Sequence, residues 1–229
     1  MNELVVFAKH WAPGAVKTRL GATIGDQPAA SIYRAFVDCI LSRLQSVGDQ
    51  RNICISPATR ETEFTQLIGQ RAWTVTHQKD GNLGCRMSLM FQERLAIPGV
   101  DRVVLIGSDS PDLPTGYINQ AFDALQRHDA VLGPTNDGGY YLIGLSRFAP
   151  ELFGEQMPWS TPRLWRTTIE TLRASSHTFA TLPEWSDVDT GEDFKAFGKR
   201  LSGDNNTDID LELLQKRISE IADHRTTEQ

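Results

Sequence analysis

Residues 7–20 read FAKHWAPGAVKTRL, a buried-strand ending followed by a Pro13-Gly14 turn that gathers Lys9, Lys17 and Arg19. Such a loop suits an anion with several charges: lysine acts as a point charge, and arginine as a fork that grips two phosphate oxygens. Lys17-Thr18 after Gly14 imitates the ATP-binding P-loop, but that motif needs Gly directly before the Lys, and Val16 stands there. No GxGxxG occurs, which weighs against a dinucleotide site. Taken alone, the loop is equally a solvated basic loop.

Carboxylates gather in two other places. GSDSPDLP (107–114) follows the strongly apolar RVVLIG and delivers Ser108 and Asp109 to a strand end, with Pro111 and Pro114 stiffening the exit. A carboxylate there is what a phosphate-bound Mg²⁺ or Mn²⁺ needs, because hard cations take oxygen ligands. Asp112 reads as an Asx turn or helix cap. In WSDVDTGEDF, Asp187 and Asp189 lie two apart and point the same way if the chain is extended, so with Asp109 they can complete a divalent-metal site. Thr190 followed by Asp193 has the spacing of a capping box, a structural role.

Three further stretches offer contacts. In QKDGNLGCRM, Gly81 and Gly84 let the backbone approach a flat ligand beside Asn82, and Arg86 sits in the first turn of a helix; a plain loop and helix start explain them as well. Asp137-Gly138-Gly139 is a tight turn into a strand that can also present Asp137 to a cleft. Trp159, Ser160 and Thr161 precede a helix, to bind a second substrate or to cap that helix, and Tyr140, Trp159 and Trp185 are acceptor-pocket or core aromatics.

Positioning these loops falls to apolar runs at 3–8, 52–56, 72–77, 102–107 and 129–134, separated by helical periods at about 28–47, 83–96 and from Thr115, which is placed to cap its helix. Strands apolar on both faces with helices between them mean an α/β fold, a Rossmann-like three-layer sandwich with a mainly parallel sheet. The rhythm breaks after Gly138, where GGYYLIGL predicts an antiparallel strand and a mixed sheet. Ligands of such sheets bind at the carboxyl ends of the strands, where the loops above lie. Helices are expected at 193–200 and 209–221, the last on a polar tail read as a surface helix or partly disordered end. The division is one domain at 1–201 and a tail at 202–229.

The 229 residues suffice for one large domain with a real core, and a net charge of −6 excludes a general nucleic-acid binder. Three scattered cysteines, Cys39, Cys54 and Cys85, indicate a reducing compartment, and no CxxC or HxxxH pattern suggests structural zinc. No apolar run is long enough to span a membrane, and the chain enters LVVFA with no charged leader. A cytoplasmic protein is expected.

Taken together, FAK...PGAVKTRL, GNLGCRM, GSDSPDL, GPTNDGGYYLIGL, PWSTPR and DVDTGED resemble a bacterial glycosyltransferase-A-like family. Its members are described as nucleotide-diphospho-sugar transferases, some of an arsenosugar pathway, and it is related to the molybdenum-cofactor nucleotidyltransferases and the guanylyltransferase acting on phospholactate. The resemblance runs in order from about Leu4 to Arg200 and leaves the tail outside. It implies a glycosyltransferase-A fold that binds a nucleotide at its first half, through Ala8, Lys9, Gly14, Lys17, Arg19, Gly81, Asn82, Gly84, Arg86, Ser108 and Asp109. It implies Asp109 as the metal-binding aspartate, with Asp189, or less so Asp187, as the second contact. This chain departs from the family at His10 and Trp11, where a second proline is usual, and at Asn82, where Asp is frequent.

Three functions stand open. The first is glycosyl transfer from a nucleotide-diphospho-sugar to a small acceptor, with Mg²⁺ or Mn²⁺ on Asp109 and with Lys17 and Arg19 stabilising the leaving diphosphate, and Asp137 as candidate base. The second is nucleotidyl transfer from a nucleoside triphosphate to a phosphorylated or carboxylated acceptor, which three loop cations suit and which needs no base. The third is nucleotide binding without catalysis.

Overall fold

A computed structural model of the protein describes residues 1–203 and 208–227. Runs of Val, Leu and Ile without polar alternation have no face to give to water, so they belong in the middle of a sheet covered on both sides. Accordingly β1 (Asn2–Lys9) lies in the interior of the sheet, parallel to β2 (Gln50–Ser56) on one side and to β4 (Arg102–Ile106) on the other. With β3 (Thr74–His77), β5 (Ala130–Pro134), β6 (Tyr140–Leu145) and β7 (Phe179–Thr181), the sheet order is β3-β2-β1-β4-β6-β5-β7. β6 runs antiparallel between β4 and β5, as the broken rhythm after Gly138 predicts. The turn joining β5 to β6 is too short for a crossover, so the chain can only return as a hairpin.

Alternate residues of β1 face opposite layers. Leu4 and Val6 pack with α2 (Asp26–Arg43), α3 (Glu61–Ile68) and α5 (Thr115–Ala124). Val5 packs with α4 (Leu83–Leu95), α6 (Leu164–Ala174) and a short 3-10 helix at Pro150–Phe153. The short α1 (Thr18–Ile24) leads from the first loop into α2. The fold is a mixed α/β sandwich.

Several boundaries differ from the sequence reading for local reasons. The helix expected at 28–47 begins at Asp26 and ends at Arg43; Leu44 and Val47 stay buried, but in a turn in which the Val47 N–H donates to the Leu44 carbonyl at 3.0 Å. Thr115 does not cap α5, because Pro114 holds the N-cap position and no side chain caps the helix. β3 starts only at Thr74, since Trp73 turns into the core and its Nε1–H donates to the Leu41 carbonyl at 2.9 Å. The terminal helix, α8 (Ile209–Thr227), is longer than expected and buries Leu211 and Leu214 against Ile32 and Phe36 of α2 and Phe197 of α7 (Gly191–Leu201). The polar link before it falls partly outside the described residues. No helix among the described residues is long and apolar enough to cross a membrane.

Candidate functional site

The loops at the carboxyl ends of the strands open into a cavity of about 690 Å³, within the roughly 300–1,000 Å³ range of small-ligand sites. Its wall takes Ala8, Lys9 and Lys17 from the first loop, Gly81, Asn82 and Arg86 from the loop after β3, and Ser108 and Asp109 from the end of β4. Asp137 and Asp189 also line it, as do Tyr140, Trp159 and Ser160. Gly14, Arg19 and Gly84 stand outside that wall, each next in the chain to a residue that forms it, and Asp187 also stands outside it.

The first loop turns at Gly14 and ends at Lys17, whose backbone is left-handed with φ of 48°. This throws the lysine side chain inward, where it is 2% exposed. Its Nζ contacts Asp109 and lies 2.9 Å from Asp189 Oδ1, while the Tyr33 and Phe36 rings flank it at 5.9 and 6.0 Å. Burial alone would lower the lysine pKa, but Asp109 and Asp189 reverse the sign and hold it above the ordinary value. Arg19, largely in solvent, donates from Nη2 to Asp189 Oδ2 at 2.7 Å. Two of the three loop cations are thus paired with Asp189. Trp11 stacks on His10 and packs against Phe64, with ring centroids 4.9 and 4.8 Å apart, which pins the loop to α3.

The two candidate aspartates of the 187–189 stretch have different surroundings. Asp187 is half-buried and accepts from Ser110 Oγ at 2.6 Å. Burial, then the nearby charge of Asp109, pushes its carboxyl up to about 7. Asp189 faces the cavity; burial would raise it, but Lys17 and Arg19 hold it below the ordinary carboxylate range. The stretch is fixed at both ends: the Val188 N–H donates to the Asp109 carbonyl at 3.0 Å, and Thr190 and Asp193 form a full capping box on α7. Asp193 Oδ2 also accepts from the Asp189 N–H at 3.2 Å. Asp112 is neither turn nor cap in its side-chain role: it is buried and accepts from Arg200 Nε at 2.6 Å.

On the opposite wall, Asn82 Oδ1 accepts from the Cys85 N–H at 2.9 Å and caps α4, a task Asp would also perform. Gly84 is needed for a close approach, because a Cβ there would sit 2.4 Å from Trp159 Nε1. Asp137 Oδ1 accepts from Thr135 Oγ1 at 2.5 Å and from the Gly139 N–H at 3.0 Å, so the carboxylate shapes the turn into β6 while lining the cavity. Thr161 Oγ1 donates to the Pro158 carbonyl at 2.8 Å, and no side chain caps α6.

Tyr33 and Gln78 are wall residues that sequence reasoning missed. Tyr33 shares a 2.6 Å hydrogen bond with Ser108 Oγ and accepts from the Lys9 N–H at 3.0 Å, joining the ends of β1 and β4. Its helical spacing beside Ile32 and Phe36 reads as core; the phenol was the available signal. Gln78 donates from Nε2 to the carbonyls of Ala8 (3.2 Å) and Cys54 (2.9 Å), and its Oε1 lies 3.4 Å from Arg86 Nη1.

Asp109 and Asp189 converge closely enough that one cation, the Lys17 ammonium, touches both. Mg²⁺ is commonly held by one or two carboxylates together with substrate phosphates, and this pair supplies that donor set. Among the described residues no group of three His, Cys, Asp or Glu side chains forms a cage for an ion, so Asp187 does not join the pair as a third ligand in this arrangement.

Residues 40–161 match the model of a family described as an uncharacterized protein conserved in bacteria (DUF2064). The chain belongs to that family. A crystal structure from Desulfovibrio desulfuricans G20, of a protein provisionally named a nucleotide-diphospho-sugar transferase, is 33% identical, with 97% of each chain covered and a TM-score of 0.86. This likeness confirms the fold expected for the family. Two more distant structures share the fold alone. One is 4-diphosphocytidyl-2C-methyl-D-erythritol synthase of Anaerococcus prevotii, at 11% identity, with 89% of this chain and 99% of the other covered and a TM-score of 0.57. The other is a nucleotidyl transferase of Methanothermobacter, at 11% identity, with 86% and 95% covered and a TM-score of 0.55. No curated protein matches the chain.

Proposed function

We propose that the protein is a transferase that uses a nucleotide-activated donor, moving a glycosyl group from a nucleotide-diphospho-sugar to a small acceptor. The observation that carries this reading is the meeting of Lys17, Asp109 and Asp189 on one cavity wall at the carboxyl ends of parallel strands. The relative from Desulfovibrio, similar over nearly the whole chain, bears a name of the same class.

In this reading the donor's diphosphate lies against the Ala8–Arg19 loop and Ser108, and the nucleoside against Gly81, Asn82 and Arg86. A divalent ion on Asp109 and Asp189 would supply positive charge where the leaving nucleoside diphosphate gathers negative charge. Lys17 and Arg19 sit beside Asp189 and add to the same field, and Lys9 extends it along the wall.

Nucleotidyl transfer is the second reading, and Asp137 favours it. Its Oδ1 is occupied by hydrogen bonds from Thr135 and Gly139, which leaves less of the carboxylate free to meet an acceptor's proton, and an acceptor that is already ionised needs no base. Product analysis separates the two. The protein is incubated with Mn²⁺, nucleotide sugars and nucleoside triphosphates, each with candidate acceptors. Release of a nucleoside diphosphate from a nucleotide sugar is expected; pyrophosphate release with no nucleotide sugar consumed would overturn the first reading in favour of the second.

A further inference from the structure

Lys17 raises a question that phosphate binding alone does not answer. Its ammonium is withdrawn from solvent, with 2% of the side chain exposed, and it stands where the oxygens of Asp109 and Asp189 converge. That is the point a divalent ion would take from the same two carboxylates. The two cations cannot share it, because like charges at contact repel. Nor can the ammonium simply be expelled, since a buried charge stripped of its counter-charges is strongly unfavourable.

We propose that Lys17 is a displaceable internal counter-ion, which keeps the carboxylate pair closed to a divalent ion until a phosphate group arrives to receive the ammonium. The protein therefore takes metal and nucleotide as one unit and has little affinity for the metal alone. This rests on the nucleotide-dependent reading above. The lysine's own chemistry permits the exchange: three donors on a flexible four-carbon stem can turn from carboxylate to phosphate while the backbone stays fixed. Lys17, Asp109 and Asp189 all line the same cavity, so the phosphate acceptor is within the space the stem already borders. Arg19, exposed on the outer oxygen of Asp189, keeps that carboxylate ionised and oriented during the exchange. Linkage makes the coupling reciprocal: the factor by which phosphate tightens the metal is the factor by which the metal tightens phosphate.

The test uses two probes, Mn²⁺ alone and inorganic pyrophosphate alone, with wild type and Lys17→Met. Mn²⁺ binding is followed by loss of the free-ion paramagnetic signal, and pyrophosphate binding by calorimetry without metal. The proposal expects opposite effects: Lys17→Met binds Mn²⁺ at least tenfold more tightly than wild type and pyrophosphate at least tenfold more weakly. Unchanged or weaker Mn²⁺ binding in the variant overturns it, because a merely structural lysine would weaken both ligands or neither. Should Lys17→Met fail to fold, Lys17→Gln, which still donates to a carboxylate, takes its place with the same expectations. If neither protein binds Mn²⁺ while wild type still binds pyrophosphate, the counter-ion role falls and the nucleotide reading survives. If wild type binds neither pyrophosphate nor any nucleotide, the nucleotide reading itself falls.

Discussion

At the scale of single residues, the site is a balance of charges that no one of them would hold alone. Lys17 is buried because Asp109 and Asp189 accept it, and Asp189 is ionised because Lys17 and Arg19 face it. Asp187 has the opposite setting, with burial and neighbouring carboxylates favouring its neutral form. The sign of its effect on stability follows. A folded carboxyl raised to about 7 holds its proton more tightly than the unfolded chain does, so the native state loses stability as pH rises from about 4 towards 7, and the loss is complete above that. Asp187→Asn keeps an acceptor for Ser110 and cannot ionise. Its thermal stability relative to wild type should therefore improve across that window, by about 1.4 kcal/mol per pH unit at most. Melting curves of both proteins from pH 4 to 8 check this; a difference that does not change with pH contradicts it.

The residue scale is also where the sequence is least informative. Ser108 and Asp109 are legible because a long apolar strand must end in a loop. The partnership of Lys17 with Asp189 spans 172 positions and leaves no local trace. Tyr33 was hidden by its own regularity, since a helix face of Ile32, Tyr33 and Phe36 is explained by packing before its hydroxyl is considered. Gln78 sits in a quoted loop, but a lone amide has no spacing rule to single it out.

At the scale of elements, the short stretch before α7 is held in place by that helix's cap. Asp193 Oδ2 accepts from the N–H groups of Thr190 (2.8 Å) and Asp189 (3.2 Å), so the cap that starts the helix also aims Asp189. Thr190-x-x-Asp193 was readable as a capping box; its bearing on the site was not, because that depends on the Val188 N–H reaching across to the Asp109 carbonyl. Asp193→Ala should cost about 1 kcal/mol of stability, the usual worth of a cap. It should also weaken metal-dependent nucleotide binding several-fold, although Asp193 is not part of the cavity wall. Thr190→Val, which leaves Asp193 Oδ2 free to accept from Asp189, should destabilise to a similar degree and change binding less. Denaturation and binding titrations on both variants decide it; equal loss of affinity in the two would contradict the positioning role.

At the scale of the whole molecule, the mainly parallel character of the sheet followed from apolar runs that allow no wet face, and the antiparallel β6 from the point where helices stop alternating with strands. The terminal helix was harder. Its polar approach reads as a tail, and only the packing of Leu211 and Leu214 against α2 and α7 reveals its buried side. The central claim belongs to this scale, because a ligand that binds only the native state stabilises the entire fold by mass action, about 2.7 kcal/mol at a hundredfold excess over its dissociation constant. For a chain of this length that corresponds to a rise in Tm of roughly 5–10 °C. The most direct measurement is thermal melting with Mn²⁺ and a panel of nucleotide sugars and nucleoside triphosphates, on wild type and Asp109→Ala. The account predicts a rise of that size with at least one nucleotide, dependent on Mn²⁺ and lost in Asp109→Ala. No rise with any nucleotide, or a rise that survives Asp109→Ala unchanged, would contradict it.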